Sequence, residues 1–280
     1  MQNGKDIQRR IQSVRSTQQI TKAMKMVSAA KLTRTQRAAL GFRAYAAQFG
    51  AVVGRLAAAG EITAPLLARR EVKKVAILVV TGKRGLAGGF HLMLVKRALE
   101  AAGQFPGCQV HFLTVGQRGT ILLRARGSEA AEEFPAAGDV PAYADAQAIA
   151  NRLSTLFAQE EYDRIDAVYQ AFLSPGRQEP TCRTLLPLPL PEAASGEYLC
   201  EEGAAALLAS LLPDCLTQQV YQILLESKAG EHVARMMAMS AATDNAGDMI
   251  ADLSLSYNRF RQAAITREIS EIVGGAAAQD

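Results

Sequence analysis

Two long stretches without proline, one at each end of the chain, constrain the fold more than any other feature. The first covers residues 4–58 and the second runs from Asp214 to the end. In the first, Ala38, Phe42, Tyr45, Phe49, Val52 and Leu56 alternate spacings of four and three, the seam of a helix that pairs with another helix. Ile20, Met24, Val27 and Lys31 extend it backwards, and Ile7, Ile11 and Val14 continue the stripe with a small phase shift. Fifty-odd residues at helical rise span roughly 80 Å. Gly41, Gly50 and Gly54 each weaken such a helix by about 1 kcal/mol relative to alanine, so packing must hold it. Gly60 and Pro65 are predicted to close it.

The second stretch is predicted to be helical from Gly203 to about Val273, with Pro213 kinking or restarting it and Gly274-Gly275 ending it. Its seam is traced through Val220, Ile223, Ala234, Met237, Ala241, Ala251, Leu255, Ile265, Ile269 and Ile272. The middle is small, with Ala238, Ala241, Ala242, Ala246 and Gly247, which lets helix backbones approach closely. Charge divides in the same way. Residues 1–60 carry eleven Lys and Arg against the single acid Asp6, whereas residues 213–280 carry nine acids against five bases. Opposite signs suit helices that pair, and two separate arms would each leave an apolar seam in water. The expectation is therefore a long antiparallel two-helix coiled coil, formed by residues 1–60 and 203–280.

Between them, residues 61–202 alternate strand and helix patterns. Val75–Val80 is a continuous apolar run of buried-strand length. A Gly-rich loop from Gly82 to Gly89 and a helix from Phe90 to Ala102 follow. Gln109–Val115 and Asp166–Phe172 are further strands, and 117–126 and 144–158 are helices. Alternation of this kind implies a parallel sheet with crossovers, a central Rossmann-like α/β domain. Cys182 to Leu190 adds an edge strand ended by Pro187, Pro189 and Pro191.

Chemistry-bearing patterns are sparse. The loop Thr81–Gly89 follows a strand and opens a helix, where phosphate-binding loops sit, but it matches neither dinucleotide nor P-loop spacing and reads as a tight turn. His91, His111 and His232 have no Cys, carboxylate or second His at metal-ligand spacing. The four cysteines lie far apart and suggest neither a zinc site nor a disulfide framework. No paired general acid and base stand out. The expectation is a chain without catalytic residues, cofactor or metal. A basic coiled coil could instead grip nucleic acid or an acidic protein, although no aromatic is interleaved with the bases before Phe42. Six of the eight methionines, Met24, Met26, Met236, Met237, Met239 and Met249, fall within the two helices as flexible filler or as a soft bearing surface.

Both ends carry a resemblance. Gln18–Lys31 (QQITKAMKMVSAAK) resembles the N-terminal signature of the gamma subunit of F-type rotary ATP synthases. Ile265–Ala276 (ITREISEIVGGA) resembles its C-terminal signature, and Ala234–Gly247 (ARMMAMSAATDNAG) the helix between. The resemblance implies a rotor shaft, one copy per complex, inside a hexameric ring of alpha and beta subunits. It also implies contact with an epsilon subunit and the membrane c ring, and catalysis by the beta subunits. Carried over residue by residue, Met24 and Lys25 match positions near an acidic beta-subunit loop. Arg261 and Gln262 match a polar pair that engages a beta-subunit catch loop, Ile269, Ile272 and Val273 an apolar bearing tip, and Glu201 an acid near the c ring. Lys83, Ala87 and Cys200 depart from the family pattern. The resemblance places the chain at the cytoplasmic face of a bacterial inner membrane, in membrane contact only through the complex.

Overall fold

A computed structural model describes residues 4–58, 64–174, 176–190 and 203–277. The chain divides into two compact units, one of residues 1–27 and 236–280, the other of residues 28–235. The division falls inside both long helices, α1 (Gly4–Ala58) and α5 (Ala204–Ala277). Among the described residues no helix is long and apolar enough to cross a membrane.

The first unit is an antiparallel helix pair. As α1 advances from Gly4 through Gln18 and Thr21 to Lys25, the facing residue of α5 retreats from Phe260 through Gly247 and Thr243 to Ser240. The sheltered positions of α1 are Gly4, Ile7, Ile11, Val14, Gln18, Thr21 and Met24, spaced by three and four. On α5 they include Met236, Met239, Thr243, Ala246, Ile250, Leu253 and Tyr257, again spaced by three and four. This corrects the predicted seam. Ile20 and Val27 are 58% and 52% exposed, and Met237 and Leu255 are 62% and 58% exposed. The register passes one position to the side, through Thr21, because small polar residues admit a close helix–helix approach that hydrophobicity counting does not reward. No phase shift is needed after Val14.

The second unit is a five-stranded sheet with helices on both faces. Its elements are β1 (Lys74–Val80), α2 (Phe90–Ala102), β2 (Gln109–Val115), α3 (Gln117–Arg124), β3 (Ala130–Phe134), α4 (Tyr143–Ala158), β4 (Arg164–Ser174) and β5 (Arg177–Leu186). The order is β3-β2-β1-β4-β5. The first four strands run parallel, and β5 returns antiparallel to β4 as a hairpin. Central β1 is buried on both faces, as an apolar run requires. Ala76, Leu78 and Val80 face α4 and the long helices, while Val75, Ile77 and Val79 face α2 and Leu123 of α3. The roots of α1 and α5 (Val53, Leu56, Leu208, Leu212, Leu216, Val220) belong to the first of these cores. Each fully buried aliphatic side chain contributes about 1.5–3 kcal/mol relative to exposure.

Four details depart from the sequence reading. Strand β3, Ala-Ala-Glu-Glu-Phe, lacks the β-branched run that marks a strand and is formed by pairing with β2. The edge strand β5 begins earlier than expected and accommodates Pro180, which an edge position tolerates. Pro213 does not end α5. Both Pro213 and Ala209, whose carbonyl loses its helical partner, are exposed, and buried Leu208, Leu212 and Leu216 hold the opposite face. Finally, α5 continues through Gly274-Gly275 to Ala277, and the closing role assigned to Gly60 falls outside the described residues.

Candidate partner-contact sites

Polar residues on the inner faces of the helix pair set the local chemistry of the first unit. The Thr21 and Thr243 hydroxyls lie 2.8 Å apart, and Gln18 Nε2 donates to the Thr243 carbonyl at 3.3 Å. Gly247 faces the same glutamine, and a Cβ at this position would stand only 3.2 Å from its Nε2. At the next turn Lys25 Nζ donates to Ser240 Oγ at 2.9 Å. Met24 is half-buried and Lys25 is exposed, so the lysine keeps protons free for an outside acceptor.

Arg261 and Gln262 are both exposed, and Arg261 forms no ion pair among the described residues. They follow Phe260, whose ring lies against Gly4. Gly4 and Lys25 are separated by roughly 30 Å of helix at 1.5 Å per residue. The two proposed contact pairs therefore stand at opposite ends of the described helix pair, as separate patches. Beyond Phe260, every α5 residue from Arg261 to Val273 is exposed. Ile265, Ile269 and Ile272 repeat at helical spacing on this segment, with exposures of 48%, 56% and 67%, and Val273 is 62% exposed. An apolar stripe with nothing packed on it is a candidate contact surface. Glu201 lies outside the described residues, as does Cys200.

In the second unit the Gly-rich loop closes on the chain's own acid. A Cβ on Gly82 would stand 2.7 Å from Glu231 Oε2, so a larger residue would have to push that carboxylate aside. Glu231 is 3% exposed and receives Lys228 Nζ at 2.9 Å and Arg235 Nη2 at 2.6 Å. Burial alone would raise its carboxyl, but the Lys228 and Arg235 cations outweigh that and hold it below the usual carboxylate range. In open α/β sheets ligands bind outside the carboxyl ends of the strands. Here α5 fills part of that edge, and a glutamate stands against the loop where an anionic ligand would be sought. The tight-turn reading of Thr81–Gly89 therefore fits the geometry better than a nucleotide site.

The same edge holds both long helices by side-chain donors aimed at main-chain carbonyls. Thr35 Oγ1 and His232 Nε2 both bond the Asp139 carbonyl at 3.0 Å, while the Asp139 carboxylate pairs with Lys31 at 2.8 Å. Arg43 Nη2 donates to Phe172 O at 3.0 Å and Ser227 Oγ to Val80 O at 3.2 Å. Arg235 donates to Gly85 O at 3.3 Å. The hydrogen bond from Lys31 outweighs partial burial and keeps Asp139 below the ordinary carboxylate range. Burial holds His232 and His91 below the ordinary histidine value. Sequence reading missed these residues. Lys228, Glu231 and Arg235 were detectable as an i, i+3, i+4 charge series on one helix face, whereas nothing local marks Asp139.

Comparison with known proteins decides the family. A family profile described as ATP synthase matches residues 3–279. The ATP synthase gamma chain of Pelotomaculum thermopropionicum is 47% identical over 279 residues, 98% of either chain. That of Moorella thermoacetica is 44% identical over 281 residues, 99% of either chain. The chain belongs to the ATP synthase gamma-chain family. The match spans both ends and the middle, and it leaves the nucleic-acid reading without support. Solved structures share the fold at much lower identity. A chain of the Euglena gracilis mitochondrial ATP synthase in rotational state 3 superposes with a TM-score of 0.70 at 15% identity, over 99% of this chain and 94% of that one. A chain of the central stalk and c ring of the Tetrahymena thermophila enzyme gives 0.61 at 24% identity, over 80% and 99%.

Proposed function

We propose that this gamma chain is the non-catalytic central shaft of a proton-driven rotary ATP synthase. It couples rotation of the membrane c ring to ATP synthesis or hydrolysis at the beta subunits. The observation that carries the reading is the full-length match to gamma chains in a protein whose ends form an antiparallel helix pair with an unpartnered apolar stripe on α5. One asymmetric shaft in a threefold ring of alpha and beta subunits touches three chemically equal sites unequally. Rotation then changes which site is favoured, and the differential contact free energy is the coupling.

Within that reading, Met24, Lys25, Arg261 and Gln262 face beta subunits, while Ile269, Ile272 and Val273 turn in an apolar sleeve. Glu201 approaches the c ring beside an epsilon subunit. Residues 1–60 and 203–280 serve as shaft, and residues 61–202 as the foot that meets the ring. One copy works in each complex, peripherally, at the cytoplasmic face of the bacterial inner membrane. Co-expression with the alpha and beta chains of the same genome tests this. The expected product contains one gamma chain per three alpha and three beta chains and hydrolyses ATP. An active alpha–beta ring that excludes this chain would refute the proposal.

A further inference from the structure

The bonds at the carboxyl edge of the sheet share a property that a merely well-packed domain does not require. Apart from the Asp139 carboxylate, which takes Lys31, and Glu226 of α5, which accepts from the Phe172 amide, the acceptors are main-chain carbonyls: Asp139 O, Phe172 O, Val80 O and Gly85 O. These belong to the ends of β1 and β4, the loop after β1 and the segment between β3 and α4, separate pieces of chain on one edge of a parallel sheet. The donors to these carbonyls are side chains of the long helices. Thr35 and Arg43 come from α1, and Ser227, His232 and Arg235 from α5. Asp139 joins the two helices directly, since its carbonyl accepts from both and its carboxylate holds Lys31 of α1.

Apolar packing cannot do what this set does. The leucines and valines at the helix roots give the attachment its strength, but the hydrophobic effect is non-directional. A helix turned slightly about its axis keeps most of its buried area. Hydrogen bonds weaken steeply once bent from line, and a sheltered donor turned from its carbonyl is left without a partner. Directional bonds to main-chain carbonyls therefore resist twist where packing resists separation.

We propose that this ring of bonds is a torsional collar, in which Thr35, Arg43, Ser227 and His232 are positioning residues that fix the angle of both long helices within the α/β unit. The proposal deepens the shaft reading and rests on it for its mechanical consequence. Loosening the collar leaves the helices attached and makes their joint with the sheet more compliant.

Two measurements on one variant set test it. The set is Thr35→Val with Ser227→Ala, the same pair with Arg43→Gln, and Thr33→Val as a control. Thr33 is exposed on α1 and bonds only within its own helix. In hydrogen exchange on the full chain alone, both collar variants should speed exchange in residues 136–142, and the triple variant also in residues 172–174, with the buried amides of β1 unchanged. Unaltered exchange at those segments would overturn the collar. The second measurement uses complexes assembled with alpha and beta chains and held without nucleotide, with a rod-shaped marker on the α/β unit. The triple variant is expected to widen the thermal angular variance of the marker about twofold, as local loosening of a joint should, while the control keeps the parental width. Assembled complexes with altered exchange but parental angular width would also overturn it. A chain that shows the exchange change but never enters an alpha–beta ring would uphold the collar geometry and refute the shaft reading.

Discussion

His91 and His232 show how single side chains tie the edge of the sheet together and make it sensitive to acid. Each bonds a main-chain carbonyl through Nε2, to Arg84 and Asp139, and each keeps a buried Nδ1 without a partner. A carbonyl accepts only, so Nε2 carries the proton and Nδ1 is bare in the neutral ring. His232 has Glu231, Lys228 and Arg235 of α5 and the Asp139 carbonyl around it. His91 has Glu231, Arg235 and Arg118. Burial depresses both values, so the folded state binds fewer protons than the unfolded chain, in which histidine titrates near 6.5. The stability this contributes is present above about pH 6.5 and is lost as pH falls through the folded values. Denaturation of the full chain at pH 7.5 and 5.5 should show a lower midpoint at the acid pH. His232→Gln, which retains a donor but cannot gain charge, should narrow that difference; a difference left unchanged would remove His232 as a source.

At the scale of elements, the helix pair depends on a polar layer that hydrophobicity counting passes over. Thr21 and Thr243 have two hydroxyl protons between them and four acceptor oxygens within reach: their own two hydroxyls, the Gln18 carbonyl and the Met239 carbonyl. If either threonine becomes valine, the survivor can still donate to a carbonyl of its own helix. Thr21→Val and Thr243→Val should therefore each cost less than about 1 kcal/mol, and the double replacement should be neutral or stabilising, since an isosteric apolar pair needs no hydrogen bond. Denaturation midpoints of the four proteins of the cycle measure this. A single replacement costing several times that amount would mean that the inter-helix bond, rather than the space it occupies, holds the layer. The α/β elements were easier to read. Val75–Val80 is continuously apolar because β1 lies between two other strands with helices on both faces. β3 escaped notice because pairing with β2, rather than its own propensity, makes it a strand.

For the whole molecule, the exposed segment of α5 after Phe260 carries charge and an apolar stripe together, and the shaft reading gives these separate tasks. Arg261→Ala removes a cation that has no ion-pair partner among the described residues, so it should leave the denaturation midpoint of the isolated chain unchanged within about 0.5 kcal/mol. In assembled complexes the same replacement should lower ATP-driven proton pumping more than ATP hydrolysis. Equal loss of both activities, or of neither, would exclude a torque-bearing role. The basic surplus of residues 1–60 belongs to this scale as well, because charge of one sign on a shaft matters only to what surrounds it.

The sequence alone determined the two long helices, their antiparallel pairing, the alternating α/β middle and the gamma-chain resemblance. These follow from proline placement, apolar period and end motifs, all of which act along the chain. It did not determine the face along which the helices meet, since Thr21 outranks Ile20 only when a second backbone stands close enough for a small polar side chain to fit. Nor did it determine the antiparallel return of β5, the passage of α5 through Pro213, or the convergence of Thr35, Asp139 and His232. Those depend on residues far apart in the chain arriving at one edge of one sheet, and only tertiary structure brings them within hydrogen-bonding distance.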